Sequence, residues 1–382
     1  MATKPSGGSS ARLLAAVGRV CASTSDCREL RAGVVDLIGR KMPVDAYAFV
    51  LTDPETCVGV DPLASIPDLR ELPRVIALKY TTPTNRWTTL DDVASLAATP
   101  VTLRGPWHEY VLARGVVDVA SMVLRDRFGC WAFVDLWSTG SPYAARDLTL
   151  LRDLNAVLTA AVRGCQALTF AAPAGDGAGL GDRTPEGTAV VLLDASTDGG
   201  LVITGRTPGT EAWLSRLLPP DSRHAPVPAA VLNVAAQLLA REAGIDHSPA
   251  IGRVHVGGAV WLRLRASRLD PSGQIAVTIE LASPADRIEM FARSHGLSPR
   301  ERELLDVLAD GVDTAAAAAR LFITPNTVQD HFKSVFVKAG VHSRRELLGR
   351  VLGVSSTPTT VPGRTSGLGY SQGVGHSPTV MP

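Results

Sequence analysis

The chain carries almost no excess of charge, few lysines, few aromatics, no closely spaced cysteine pair and no long apolar run. Its 38 basic and 37 acidic side chains leave a formal charge of +1. That excludes a surface coated uniformly with positive charge, but not a small basic patch, because net charge averages over the whole molecule. Lysine supplies 5 of the basic residues and arginine 33, a coding bias that says nothing of function. No run approaches the roughly 18 apolar residues of a membrane-spanning helix. The most apolar N-terminal stretch, 13–21, is cut by Arg19, which argues against a secretory signal. Cys21, Cys27, Cys57, Cys130 and Cys165 are odd in number and form no CxxC. They read as reduced thiols of a cytoplasmic protein.

What is present is an ordinary globular composition, 45% hydrophobic and 20% charged over 382 residues. At roughly 150 residues per domain, that length suggests two or three domains. Residues 1–10 are small and polar and read as a disordered N-terminus. From Ala11 the apolar positions recur at helical spacing through Val17 and again through Ile38. The segment 46–51 reads as a buried strand, followed by a helix over 72–80 and a short one over 107–113. Strands over 116–125 and 130–137 flank the turn Asp126-Arg-Phe-Gly129, and a helix from Leu148 closes the unit. This predicts an α+β domain over 11–168. A Gly, Ala, Pro and Asp-rich linker covers 169–187; its Gly177-Ala-Gly179-Leu-Gly181 lacks the strand and helix that a phosphate loop needs. A second α+β domain, 188–284, is read from strands near 189–193, 251–256, 260–266 and 274–280, with a helix near 227–243. The tail, 353–382, is rich in Ser, Thr, Pro and Gly and reads as disordered. The predicted fold class is therefore multidomain, two α+β domains followed by an all-α module.

Residues 285–352 carry the most specific pattern. Ser298-Pro299-Arg300-Glu301 is a capping box with proline at the first helical position, and Gly311 ends that helix. Asp313 can cap a short second helix over 315–321. After the turn 322–324, Thr324-Pro-Asn-Thr327 opens a third helix whose inner face carries Val328, Phe332, Val335 and Phe336. Gly340 ends it, and Ser343-Arg-Arg-Glu346 begins a fourth. Two short helices joined by a tight turn are the helix-turn-helix, whose second helix can enter the major groove. Over 320–350, six basic residues face two acids, a local net of +4, whereas 286–313 is net acidic. Such a confined positive face suits phosphate neutralisation. Gln329, Asp330 and Lys333 project away from the apolar stripe and are the candidate base contacts. Asn326, Thr327, His331, Lys338, Arg344 and Arg345 are the candidate phosphate contacts.

Leu297-Ser-Pro-Arg-Glu-Arg-Glu303, Thr327-Val328, His331 and Gly340-Val-His-Ser-Arg-Arg-Glu-Leu347 together resemble the LuxR-type (GerE) helix-turn-helix. The resemblance covers about 55 contiguous residues. It implies a transcriptional regulator whose third helix reads double-stranded DNA, and a homodimer on DNA paired through the fourth helix. The chain departs from the family's pattern at Ala316 and Ala317, within a run of five alanines, and at Gln329, where lysine is common. The upstream part resembles actinobacterial regulators that join a GAF-like and a PAS-like domain to this module. That implies sensors for a small-molecule effector of unknown identity.

No constellation for catalysis or for a metal emerges, so the chain is read as neither an enzyme nor a cofactor protein. His108 and Glu109 are helical neighbours that point apart, and His108 reads as a surface residue. His224, His247 and His255 lack ligand spacing. Cys130 reads as an inert buried thiol, and the six tryptophans as core. The competing reading is a small-molecule sensor or signalling protein whose helical module mediates protein contacts.

Overall fold

The computed structural model describes residues 7–171, 187–196, 199–217 and 228–353. The expected linker, tail and N-terminus lie wholly or largely outside the described residues, as do His224 and the glycine run at 177–181. The first unit comprises α1 (Gly7–Ser23), α2 (Cys27–Gly39), β1 (Ala46–Thr52), β2 (Gly59–Ser65), α3 (Leu72–Tyr80), β3 (Val93–Ser95), α4 (Pro106–Leu112), β4 (Asp118–Asp126), β5 (Gly129–Ser138) and α5 (Ala145–Leu168). Its antiparallel sheet has the order β2-β1-β5-β4-β3. Helix α1 starts at Gly7, ahead of the expected domain start. Two strands were not expected. One is β2, which carries Pro62 on a sheet edge where its missing N–H is tolerated. The other is the short β3.

The second unit comprises β6 (Ala189–Ala195), β7 (Leu201–Arg206), α6 (Thr210–Leu217), α7 (Ala229–Glu242), β8 (Ile251–His255), β9 (Trp261–Arg268) and β10 (Ile275–Leu281). The sheet order is β7-β6-β10-β9-β8, so both units place their own strands second, first, fifth, fourth, third. Strand β7 and helix α6 went unread in the sequence.

Beyond these lies an all-helical unit of α8 (Pro284–Ser294), α9 (Pro299–Ala309), α10 (Thr314–Arg320), α11 (Pro325–Ala339) and α12 (Arg344–Leu352). Only α8 was not anticipated. Ser283 and Asp286 cap it reciprocally. Among the described residues no helix is long and apolar enough to cross a membrane.

The two α+β units are not separate beads. One hydrophobic core runs through both, joining Val58, Val60, Ile76 and Tyr80 to Val231, Val234, Leu264 and Val277. Helix α7 sits in its middle, touching α3 and β2 as well as β9 and β10. Ten of its fourteen residues are buried, as befits a helix covered on nearly every side. Buried ions cross the same junction. Arg253 donates to Asp53 at 2.7 and 2.9 Å, and Asp53 also accepts from the Arg253 backbone N–H at 2.9 Å. Arg86 donates to Asp246 and to Gln237, both at 2.9 Å. Each charge is paired and hydrogen-bonded, the condition on which a buried ion is tolerated.

On the far side of the first sheet, α1, α2 and α5 cover a second core. All six tryptophans are buried, in keeping with the core reading. His108 corrects an expectation. It is buried, because α4 turns Trp107, His108, Tyr110 and Val111 inward, and that burial lowers its pKa.

Candidate nucleic-acid interface

The helix-turn-helix is assembled from local signals. Ser298 Oγ accepts from the Glu301 backbone N–H at 3.3 Å while Glu301 accepts from the Ser298 N–H at 2.6 Å, the reciprocal bonding expected of a capping box. Asp313 accepts from Ala316 N at 2.8 Å to start α10. Thr324 accepts from Thr327 N at 3.2 Å to start α11, and Ser343 from Glu346 N at 3.1 Å to start α12. Gly340 ends α11 in the left-handed region at φ 61°, where a side chain would be strained. The core beneath is Leu304, Leu305, Leu308, Ala317, Ala318, Val328, Phe332, Val335 and Leu347.

The tight turn before α11 contains Phe322 at φ 53°, a conformation uncommon for a bulky residue, and the residue is 94% exposed. The Arg300 guanidinium donates to Leu321 O at 2.7 Å and so ties α9 to this turn. A second tie was not legible from the capping box alone. Glu301 Oε1 also accepts from Ser334 Oγ at 2.6 Å, and both its oxygens accept from Lys338 Nζ, at 2.9 and 2.6 Å. Burial of Glu301 opposes its ionisation, but the bonds from Lys338, Ser334 and Ser298 outweigh it and hold the carboxyl down at about 2. One carboxylate thus both starts α9 and orients α11.

Asn326, Gln329, Asp330 and Lys333 are exposed along one side of α11, at the i, i+3, i+4, i+7 spacing of a single face. Lys333 Nζ donates to Asp330 at 2.9 Å within that face. Thr327 and His331 are half-buried at its margin, and Thr327 joins the Thr324 cap. The remaining positions differ in kind. Lys338 is engaged by Glu301, Arg344 donates to Val312 O, and Arg345 is exposed on α12. The positive face is more dilute than a residue count over 320–350 suggests. Glu301 and Asp310, both outside that window, pair with Lys338 and Arg320, and Arg350 pairs with Glu346 at 2.7 Å.

The module is fastened to the α+β body by Arg287, a residue without a sequence signal. It is buried, and donates to Val351 O at 2.7 Å and Arg350 O at 3.1 Å at the end of α12, and to Ala259 O at 2.6 Å between β8 and β9. Its guanidinium also lies 5.6 Å from the ring centre of Phe170, just past α5. Phe170 in turn stacks on Trp261 at 5.1 Å and meets Phe291 edge-on at 5.3 Å. One cation therefore touches all three units. Desolvation pushes Arg287 down to about 10. Among the described residues, no three His, Cys, Asp or Glu side chains are grouped to hold a metal.

Residues 295–350 match the family model described as bacterial regulatory proteins, luxR family. HTH-type transcriptional regulators of Mycobacterium bovis and Mycobacterium tuberculosis are 40% identical over 58 residues, 15% of this chain and 7% of theirs. The HTH-type transcriptional regulator GfsR of Streptomyces halstedii is 32% identical over 97 residues, 25% of this chain and 36% of that protein. The match therefore spans well under two thirds of each relative. Among solved structures, the chain is similar to the bacteriophytochrome RpBphP3 of R. palustris at TM-score 0.30 and 14% identity, over 73% of this chain and 63% of that one. It is similar to that protein's chromophore-binding domain at TM-score 0.29 and 12% identity, over 41% and 61% of the two chains. Residues 295–350 are a luxR-type (GerE) helix-turn-helix domain.

Proposed function

We propose that the chain is a DNA-binding transcriptional regulator, acting in the cytoplasm and not as an enzyme. In this reading a GAF-like domain over 11–168 and a PAS-like domain over 188–284 control the module at 285–352. The observation that carries it is the open face of α11 in a luxR-type module, with Asn326, Gln329, Asp330 and Lys333 exposed side by side. Gln329 and Lys333 donate to purine edges and Asp330 accepts from cytosine N4. Asn326, Thr327 and His331 meet phosphates near the positive N-terminus of α11, joined by Arg344 and Arg345 at the start of α12 and by the third ammonium proton of Lys338, which Glu301 leaves free for another acceptor. Two copies pair on DNA through α12. A small-molecule effector bound by the α+β body shifts the population of paired, DNA-competent copies. Arg287 is the physical link for that shift, since it joins α12 to both upstream units.

The test is titration of the full chain with duplex DNA selected from a random pool, repeated across a salt series. Binding whose logarithm falls linearly with the logarithm of salt supports the reading. Absence of binding, or binding indifferent to salt, overturns it. Gln329→Ala is expected to relax base preference, whereas Arg345→Ala weakens all sequences alike.

A further inference from the structure

The exposed face of α11 does not end at Lys333. Val337 lies one turn further along the helix and is 83% exposed. Among the described residues only Phe322 is a more exposed large hydrophobic. An α-helix turns once every 3.6 residues. Val337 stands eleven residues beyond Asn326 and seven beyond Asp330, which are about three turns and about two turns. It is therefore in line with Asn326, Asp330 and Lys333, in the middle of the polar face. The apolar side of α11 points elsewhere. Val328, Phe332, Val335 and Ala339 are buried in the core of the module, and Val337 is no part of that core.

A single exposed valine is ordinary on a protein surface, but the setting of this one is not. Valine is a poorer helix former than lysine, arginine or glutamate, so helix stability does not account for it. Nor does packing, since the side chain joins no core. Its neighbours on the face leave it open. Lys333 Nζ reaches back to Asp330 at 2.9 Å rather than forward over Val337. Gly340, three residues on, has no side chain, and a Cβ built there would meet nothing within 4 Å. The result is one apolar spot on a face otherwise made of amide, carboxylate and ammonium groups.

Given α11 as the major-groove helix, the reading on which this rests, we propose that Val337 recognises a thymine through its C5 methyl group. In the major groove thymine is the base that presents a methyl, and small apolar side chains recognise it by contact rather than by hydrogen bonding. Contact removes the isopropyl group and the methyl from water together. Position fixes where that thymine lies. At 1.5 Å per residue, Val337 is about 6 Å past Lys333 towards the C-terminal end of α11. The thymine therefore flanks the base pairs met by Gln329, Asp330 and Lys333 on that side, once in each half-site. A polar side chain there would select a base by its donors and acceptors; valine has neither and selects the methyl.

The experiment uses the full chain and a duplex that it selects from a random pool. That duplex is compared with copies carrying deoxyuridine in place of one thymine at a time. Deoxyuridine keeps the base pair and the O4 acceptor and lacks only the methyl. At one thymine per half-site, the wild type is expected to bind the deoxyuridine duplex about fourfold more weakly, as burial of one methyl-sized group implies. Val337→Ala should bind the thymine duplex about fourfold more weakly than the wild type and be indifferent to that replacement. Its salt dependence should match the wild type, because no phosphate contact is removed. Val337 is exposed and outside the core, so the variant leaves the fold intact. If both proteins bind and no single replacement separates them, the proposal is overturned while the DNA-binding reading stands. A shallower salt dependence in the variant also overturns it, by placing Val337 at the phosphates. No binding to any duplex overturns both readings.

Discussion

The two sheets have the same strand order, yet the first is buried on both faces and the second on one. Along β4 and β5 nearly every residue is buried, because α1, α2 and α5 cover one face while α3, α4 and the second unit cover the other. Along β6 and β10 burial alternates: Val191, Leu193, Val277 and Ile279 turn inward, while Val190, Leu192, Thr278 and Glu280 remain partly solvated. The second unit thus has one apolar face, and it completes its core with α7 and with side chains of the first unit. Identical topology can serve a self-contained layer or a dependent one; what differs is which neighbour covers the sheet.

That dependence can be broken most severely at the ion pair. Asp53→Ala removes the buried partner of Arg253, which is 4% exposed and keeps Glu55 as its nearest carboxylate, and is expected to cost about 3 kcal/mol of stability in denaturant unfolding. Adding Arg253→Met should recover part of the loss; if the double variant is as unstable as the single one, the stranded charge was not the cause. A gentler wedge is Gly252→Ala. Its Cβ would lie 2.8 Å from Val60 Cγ1 across the junction, so overpacking of about 1–3 kcal/mol is expected, with unfolding of both sheets in one transition. Separate transitions with only the second sheet destabilised would show that the shared core does not couple them.

The helical unit sharpens the contrast, since its equivalent tie is internal. Glu301→Gln should cost about 1 kcal/mol at neutral pH, measured as a shift in the denaturant midpoint. The sign with pH follows from a carboxyl held at about 2 against an ordinary 4.5. Its stabilisation is complete above about 4.5 and is lost as pH falls towards 2. The gap between wild type and variant should therefore close on acidification, and a constant gap would assign Glu301 a packing role only.

Legibility in the sequence followed the range of the interactions. Ser298, Asp313, Thr324 and Ser343 each act within three residues of themselves, so all four helices of the luxR-type module could be read before any fold was known. Strand β7 was present in the sequence as Leu201-Val-Ile-Thr204, a run of strand formers between glycines. It went unread because the run is short and lies on an edge of the one-sided sheet with Val202, Thr204 and Arg206 exposed. Helix α8 was missed although Ser283, Pro284 and Asp286 give it the same local start as α9. The cause is a pattern that mixes Arg287, Glu289 and Arg293 with Ile288, Met290 and Phe291, and Arg287 is buried by partners that lie far along the chain. His108 was misplaced for a similar reason: helical adjacency tells which residues diverge, not which side the rest of the protein will cover.

The sequence by itself determined the local grammar of this protein. Caps, helix breaks and the polar spacing from Asn326 to Lys333 depend on residues a turn or two apart, and their geometry travels with them. Tertiary structure alone decided which charges remain available and which units share a core. It set Lys338 against Glu301, Arg253 against Asp53 and Arg287 between three units. Burial and pairing are properties of distance in space, and no spacing along the chain encodes them.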